Sequence, residues 1–196
     1  MSHHEGTHQI KADSIDVFGF WIYILTDCVV FSCLFATFLV LNHPGAYGIS
    51  LKQFIELPYV LGETIFLLTS SFTLGLAMVA LNHQKRQWMT IGLIMTFLLG
   101  AGFLWMELRE FYHLLSMGYA PQNSGAASAF FVLVGTHGFH VLVGLIWILI
   151  MLFHLNVFNM CPAVKKRMTY LGLFWTFLDI IWIFIFTIVY LMGVIS

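Results

Sequence analysis

Two histidines three residues apart stand in the run Gly135-Thr136-His137-Gly138-Phe139-His140, and a helix would carry both imidazoles on one face. Imidazoles in that arrangement can ligate a metal, or they can hydrogen-bond to a neighbouring helix. A metal would need further ligands from facing helices, whereas Gly135, Gly138 and Gly144 let another backbone approach closely, which serves packing as well as binding. A second group, Glu107-Leu108-Arg109-Glu110-Phe111-Tyr112-His113, contains one Glu-x-x-His unit. Di-iron carboxylate bundles need two such units and two more glutamates. With a single copy and Arg109 between the acids, the segment reads as an ion-pair and hydrogen-bond cluster, with Glu63 the expected partner of Arg109. A third group, Trp175-Thr176-Phe177-Leu178-Asp179-Ile180-Ile181-Trp182, places two indoles within a turn of Asp179, so that an indole N–H could satisfy the carboxyl. Asp27 stands at a similar depth in the first apolar stretch.

The setting of these residues says more than their spacing. Five of the nine acidic residues, Asp27, Glu63, Glu107, Glu110 and Asp179, lie inside long apolar stretches. A carboxyl at the middle of a bilayer costs roughly 2.5 to 3.5 kcal/mol on insertion scales, so it normally faces a bundle interior where it can be satisfied. Of 196 residues, 60% are hydrophobic, 17% aromatic and only 9% charged, which is outside the range of a soluble domain. Mean hydropathy is +0.92. Nothing in a net charge of −1 points to a nucleic-acid partner.

Haem ligation would need more histidines than the stretches provide. His140 and His154 share one apolar stretch, but a facing helix would have to supply a matching pair; His113 is the only other histidine near a span, with His43 and His83 in connections. Cys28, Cys33 and Cys161 form no C-x-x-C or C-x-x-C-H pattern, so no disulfide, c-type haem or zinc site is implied. Nothing in the chain itself calls for a metal, a cofactor or a catalytic nucleophile.

Five apolar stretches are expected to form helices, at about 18–41, 57–81, 88–115, 126–155 and 168–195. Each exceeds the ~20 residues that cross a ~30 Å hydrocarbon core, whereas barrel strands are only ~9 to 11 residues long. The expected fold class is an all-α membrane protein, with a tail at 1–17 and one five-helix domain at 18–196. Without a basic n-region and a small-residue cleavage site, the first stretch is expected to act as an uncleaved anchor. All four prolines fall at or beyond the ends of the stretches, and the short basic connection after the second one predicts an antiparallel hairpin. Lys11, Lys85, Arg86, Lys165, Lys166 and Arg167 fall on one side of this topology, against Lys52 and Arg109 on the other. Cytoplasmic connections carry the basic excess, so the N-terminus is expected in the cytoplasm and the C-terminus in the periplasm.

With these residues in view, the chain resembles subunit III of the haem-copper terminal oxidases. The likeness covers essentially all five helices: Gly19-Phe20-Trp21-Ile22-Tyr23 leading to Asp27, Glu56-Leu57-Pro58 before the second, Ala129-Phe130-Phe131 and the His137/His140 run in the fourth, and Phe174-Trp175 through Asp179 to Trp182 in the fifth. Long members have seven helices and usually glutamate where Asp27 stands; this chain lacks the first two helices and is most similar to the short form in cytochrome bo-type ubiquinol oxidases. The resemblance implies an accessory, non-catalytic role beside subunits I, II and IV, with haem b, haem o and copper in subunit I. It further implies bound phospholipid, support of proton delivery, and a bacterial inner-membrane location. By position, Asp27, His137, His140 and Asp179 match one group of the family's buried polar residues, and Glu63, Glu107 and Glu110 a second. A cytochrome c or menaquinol oxidase is the neighbouring alternative. A small proton-coupled transporter is the alternative from another class, since proton relays also use intramembrane acids and histidines.

Overall fold

In a computed structural model, which describes residues 2–41, 57–118, 121–122, 124–158 and 162–191, the five apolar stretches are five helices. They are α1 (Ser2–Leu41), α2 (Leu57–Asn82), α3 (Arg86–Ser116), α4 (Gly125–Phe158) and α5 (Pro162–Ile185), the last continued by a π-helical segment, Phe186–Leu191. Membrane-crossing lengths are reached at Val17–Leu41, Pro58–Asn82, Arg86–Ser116, Gly125–Leu155 and Val164–Leu191.

Two helices begin six or more residues earlier than hydropathy predicts, and α3 and α4 within two. α1 continues through the polar tail to Ser2, because no proline stops it there. α5 starts at Pro162 instead of Met168, taking Lys165 to Arg167 into its first turns. A proline at the first helical position loses only an N–H that has no intrahelical partner. The connection at 42–56, Cys161 and the end of the fifth stretch beyond 191 lie outside the described residues.

The interior of α2 and α3 repeats every seven residues. On α3 the buried positions are 89, 93, 96, 100, 103, 107, 110 and 114. On α2 they are 60, 63, 67, 70, 74, 77 and 81. Alternating steps of three and four are the spacing of a coiled-coil seam, which keeps one face on the partner helix along its whole length. Glu63, Ser70, Thr96, Glu107 and Glu110 occupy seam positions, so their burial follows from the helix register.

The antiparallel hairpin expected from the short connection is present, and α2 against α3 is the largest interface of the bundle. Its turn is a left-handed helix cap: Gln84 has φ 54, Lys85 N–H donates to the Ala80 carbonyl at 3.0 Å, and Gln84 N–H to Leu81 at 3.1 Å. Along the seam, the Thr73 and Thr96 hydroxyls are 2.8 Å apart. Around these helices, α3 packs on α4, α4 on α5 and α5 on α2, closing a four-helix ring. α1 packs mainly on α4 and less on α5. Among its described side chains the buried ones, Ile24, Phe31 and Phe38, recur once in seven residues, a narrower stripe than α2 or α3 presents. Large apolar side chains such as Val40, Phe72, Phe139 and Phe153 cover the exterior, as a lipid-facing surface requires.

Gly92 is where α2 and α3 come closest, since a Cβ there would stand 2.8 Å from the Ala77 Cβ and 3.2 Å from the Thr73 carbonyl. Gly92→Val is therefore expected to destabilise the hairpin by about 1 to 3 kcal/mol, as overpacking does. A lower midpoint in detergent-titrated unfolding would show it; an unchanged midpoint would mean that the close approach is not required.

Candidate functional site

The polar residues singled out from the sequence separate into two groups, one near mid-membrane and one towards the end of the bundle where α3 finishes. The mid-membrane group is organised by two tryptophans of α5. Trp175 is 1% exposed, and its indole fills a slot between Gly100 of α3 and Gly144 of α4. A Cβ at either glycine would come within 2.9 Å of the ring. Its Nε1–H donates to Ser70 Oγ of α2 at 3.0 Å. About two turns further on, Trp182 Nε1–H donates to Thr64 Oγ1 of α2 at 3.1 Å.

Asp179 shares the face of both tryptophans, as its spacing predicts, but neither indole satisfies it. Both donate to hydroxyls across the α2–α5 interface, because an indole N–H lies at the far end of a long rigid side chain and reaches past its own helix. The Asp179 carboxyl, 7% exposed, stands beside Ser71 instead.

His137 and His140 do not act on one face together. His137 is fully buried, stacked on Trp182 with ring centroids 5.2 Å apart and set against the edge of Phe103 at 5.9 Å. His140 turns the other way, towards α1, with Nε2 3.7 Å from Asp27 Oδ2. Phe31 of α1 touches both rings. The Nδ1–H of His140 donates to the Thr136 carbonyl at 2.7 Å. A carbonyl can only accept, so Nδ1 carries a proton. Expected as buried, Asp27 and His140 keep side-chain exposures of 14% and 17%, because α1 sits at the edge of the ring.

The second group brings Glu63 of α2 together with Glu107 and Glu110 of α3. Exposures are 0%, 2% and 8%. Tyr190, in the π-helical segment, donates its O–H to Glu110 Oε2 at 3.0 Å. The Glu107 carboxyl lies against Gly138 of α4, where a Cβ would meet it at 2.5 Å.

Arg109 does not join them. It is exposed and stacked over Trp105, its guanidinium carbon 5.8 Å from the ring centroid. The expected Arg109–Glu63 ion pair is absent because 107 and 110 occupy the seam while 109 projects from the outer side of the same helix. For the same reason the Glu-x-x-His unit does not converge: Glu110 is buried and His113 exposed.

The histidines do not suit a haem. His140 engages Thr136 and Asp27, and His137 is enclosed by Phe103, Trp182 and Phe31. Among the described residues, no group of three or more His, Cys, Asp or Glu side chains is placed to hold a metal ion. Sequence reasoning missed Ser70, Thr64, Ser71 and Tyr190. The heptad register of α2 marks Ser70 as inward, and the π-helical turn that presents Tyr190 leaves no comparable pattern.

A profile of the family described as cytochrome c oxidase subunit III matches residues 1–194. The chain is 50% identical over 178 residues to the cytochrome bo(3) ubiquinol oxidase subunit 3 of Pseudomonas putida, covering 91% of this chain and 86% of that protein. It is 47% identical over 190 residues to the protein of the same name from Pseudomonas aeruginosa, covering 97% and 91%. To the quinol oxidase subunit 3 of Bacillus subtilis it is 41% identical over 186 residues, covering 95% and 91%.

The Asp27–His140 contact is open to a double-mutant cycle. With Asp27→Asn, His140→Gln and the double variant, a coupling of about 0.5 kcal/mol is expected, because 3.7 Å is longer than a hydrogen bond and interhelical hydrogen bonds within bilayers average about 0.6 kcal/mol. Additive effects on unfolding would mean that the two side chains do not interact.

Proposed function

This chain belongs to the cytochrome c oxidase subunit III family, and from that premise we propose that it is the non-catalytic subunit III of a proton-pumping haem-copper quinol oxidase of the cytochrome bo type. The observation that carries the proposal is identity of 47 to 50% across nearly the whole chain to proteins named cytochrome bo(3) ubiquinol oxidase subunit 3. Oxygen and quinol chemistry, with haem b, haem o and copper, is assigned to subunit I, and subunits II and IV complete the complex.

In this reading the chain's own polar residues have a supporting task. Asp27, Trp175, Asp179, Trp182, His137 and His140 tie helices to one another, and Glu63, Glu107 and Glu110 gather at one end, leaving the apolar exterior to meet subunit I and lipid. A groove of about 390 Å³ between α1, α2 and α5, lined by Trp21, Ile24, Gly75, Met78 and Phe177 among others, is the place we assign to a phospholipid chain. The basic hairpin turn at Lys85 and Arg86 and the first turns of α5 at Lys165 to Arg167 support an N-terminus in the cytoplasm and a C-terminus in the periplasm. Bacterial relatives support a location in the inner membrane.

Purification in mild detergent through a tag on this chain tests the reading. The expected result is co-purification of larger subunits and haem absorption that stays with them when this chain is dissociated. Recovery of a lone, colourless protein active in solute uptake would overturn it in favour of a transporter.

A further inference from the structure

Three carboxyl groups are buried within electrostatic reach of one another inside the bundle, and among the described residues none is paired with a lysine or arginine. Glu63 enters from α2 and Glu107 and Glu110 from α3, each behind the lipid-facing surface. Their surroundings can be read element by element. On α2, the Tyr59 hydroxyl is committed to the Met106 carbonyl at 3.1 Å. On α3, Arg109 points outward over Trp105. α4 presents Gly138 to Glu107, and His137 nearby, enclosed by aromatic rings. From α5 and its continuation, the Trp182 N–H is taken by Thr64, and Tyr190 gives its single O–H to Glu110.

Among the described residues, both oxygens of Glu63, which is 0% exposed, and Oε2 of Glu107 therefore have no donor. A buried acceptor without a donor costs about 1 to 3 kcal/mol, and more if charged, so a group in that position must obtain one. Glu63 is independent of the α3 pair, being carried by a different helix, and it lies within electrostatic reach of that pair. Binding a proton removes the charge that makes such burial most costly.

We propose that Glu63, Glu107 and Glu110 form a proton-binding site that holds at least two protons among the three carboxyls at neutral pH. Glu110 is the position for the remaining negative charge: it accepts from Tyr190, and at 8% exposure it is the most accessible of the three. Glu63 and Glu107 are the neutral acids. The cluster lies six residues from the start of α2 and six from the end of α3, roughly 9 Å of helix beneath one face of the bundle. Glu110 is thus the port through which protons enter and leave. This goes beyond the accessory-subunit reading and does not depend on it.

The test is infrared difference spectroscopy of the purified complex at neutral pH, wild type against Glu63→Gln and against Glu107→Gln. Each difference is expected to show loss of a protonated-carboxyl carbonyl band that shifts in heavy water. Glu110→Gln is expected to remove a carboxylate band instead. Loss of only carboxylate bands in the first two variants overturns the proposal. So does failure of either to assemble, because glutamine has the shape and charge of a neutral glutamic acid and should be tolerated where one stands. Both results are independent of whether the complex proves to be a quinol oxidase.

Discussion

The interior of a bilayer protein offers its polar groups no bulk water, so a partner on another helix or close to the group's own backbone is what stabilises each one that has it. This constraint accounts for the residues that hold the bundle together. Packing apolar surface gives little preference between helix and lipid, since lipid tails are as apolar as leucine. Preference comes from the exceptions: an indole donating to Ser70, another to Thr64, a tyrosine donating to Glu110, an imidazole facing Asp27. Each of these contacts crosses between helices that are remote in sequence. Together they tie α5 and its continuation to α2 and α3, and α4 to α1.

Helix number and class were legible because a span is a matter of length and apolarity, and the runs around Leu67, Leu98, Ile148 and Ile181 have both. The ends were less so. Hydropathy fades before a helix does, and Lys165 to Arg167 continue α5 outward from the apolar region. The candidate residues were legible as intramembrane acids, histidines and tryptophans, but their partners were not. Arg109 seemed the natural counterion of Glu63 when only composition was weighed; the seven-residue register places it on the outer side. The Asp179 carboxyl and its flanking indoles share a face, yet the length of an indole carries its N–H to a neighbouring helix before it can turn back. Partner choice depends on side-chain reach and on which helices are neighbours, and one sequence contains neither directly.

The two polar groups also differ in how they are enclosed. The acids of α2 and α3 occupy seam positions of a continuous interhelical register, so their burial is set along the full length of the hairpin. The Asp27–His140 pair is held by a helix that contributes one buried residue in seven, and it retains access to the surroundings. Similar chemistry is thus placed in a closed interior in one case and at a seam near lipid in the other.

The slot that receives Trp175 has a mechanical consequence. A flat ring seated between Gly100 and Gly144 works as a key in a keyway: sliding α3 or α4 lengthwise by about one turn would bring the next residues of the same face, Thr96 or Phe103 on α3 and Val141 or Ile148 on α4, against the ring. Each of those carries a Cβ where there is clearance for none. The four ringed helices are thereby locked against axial slip and move as one block, so that freedom to shift belongs to α1, whose narrow stripe rests on the outside of that block.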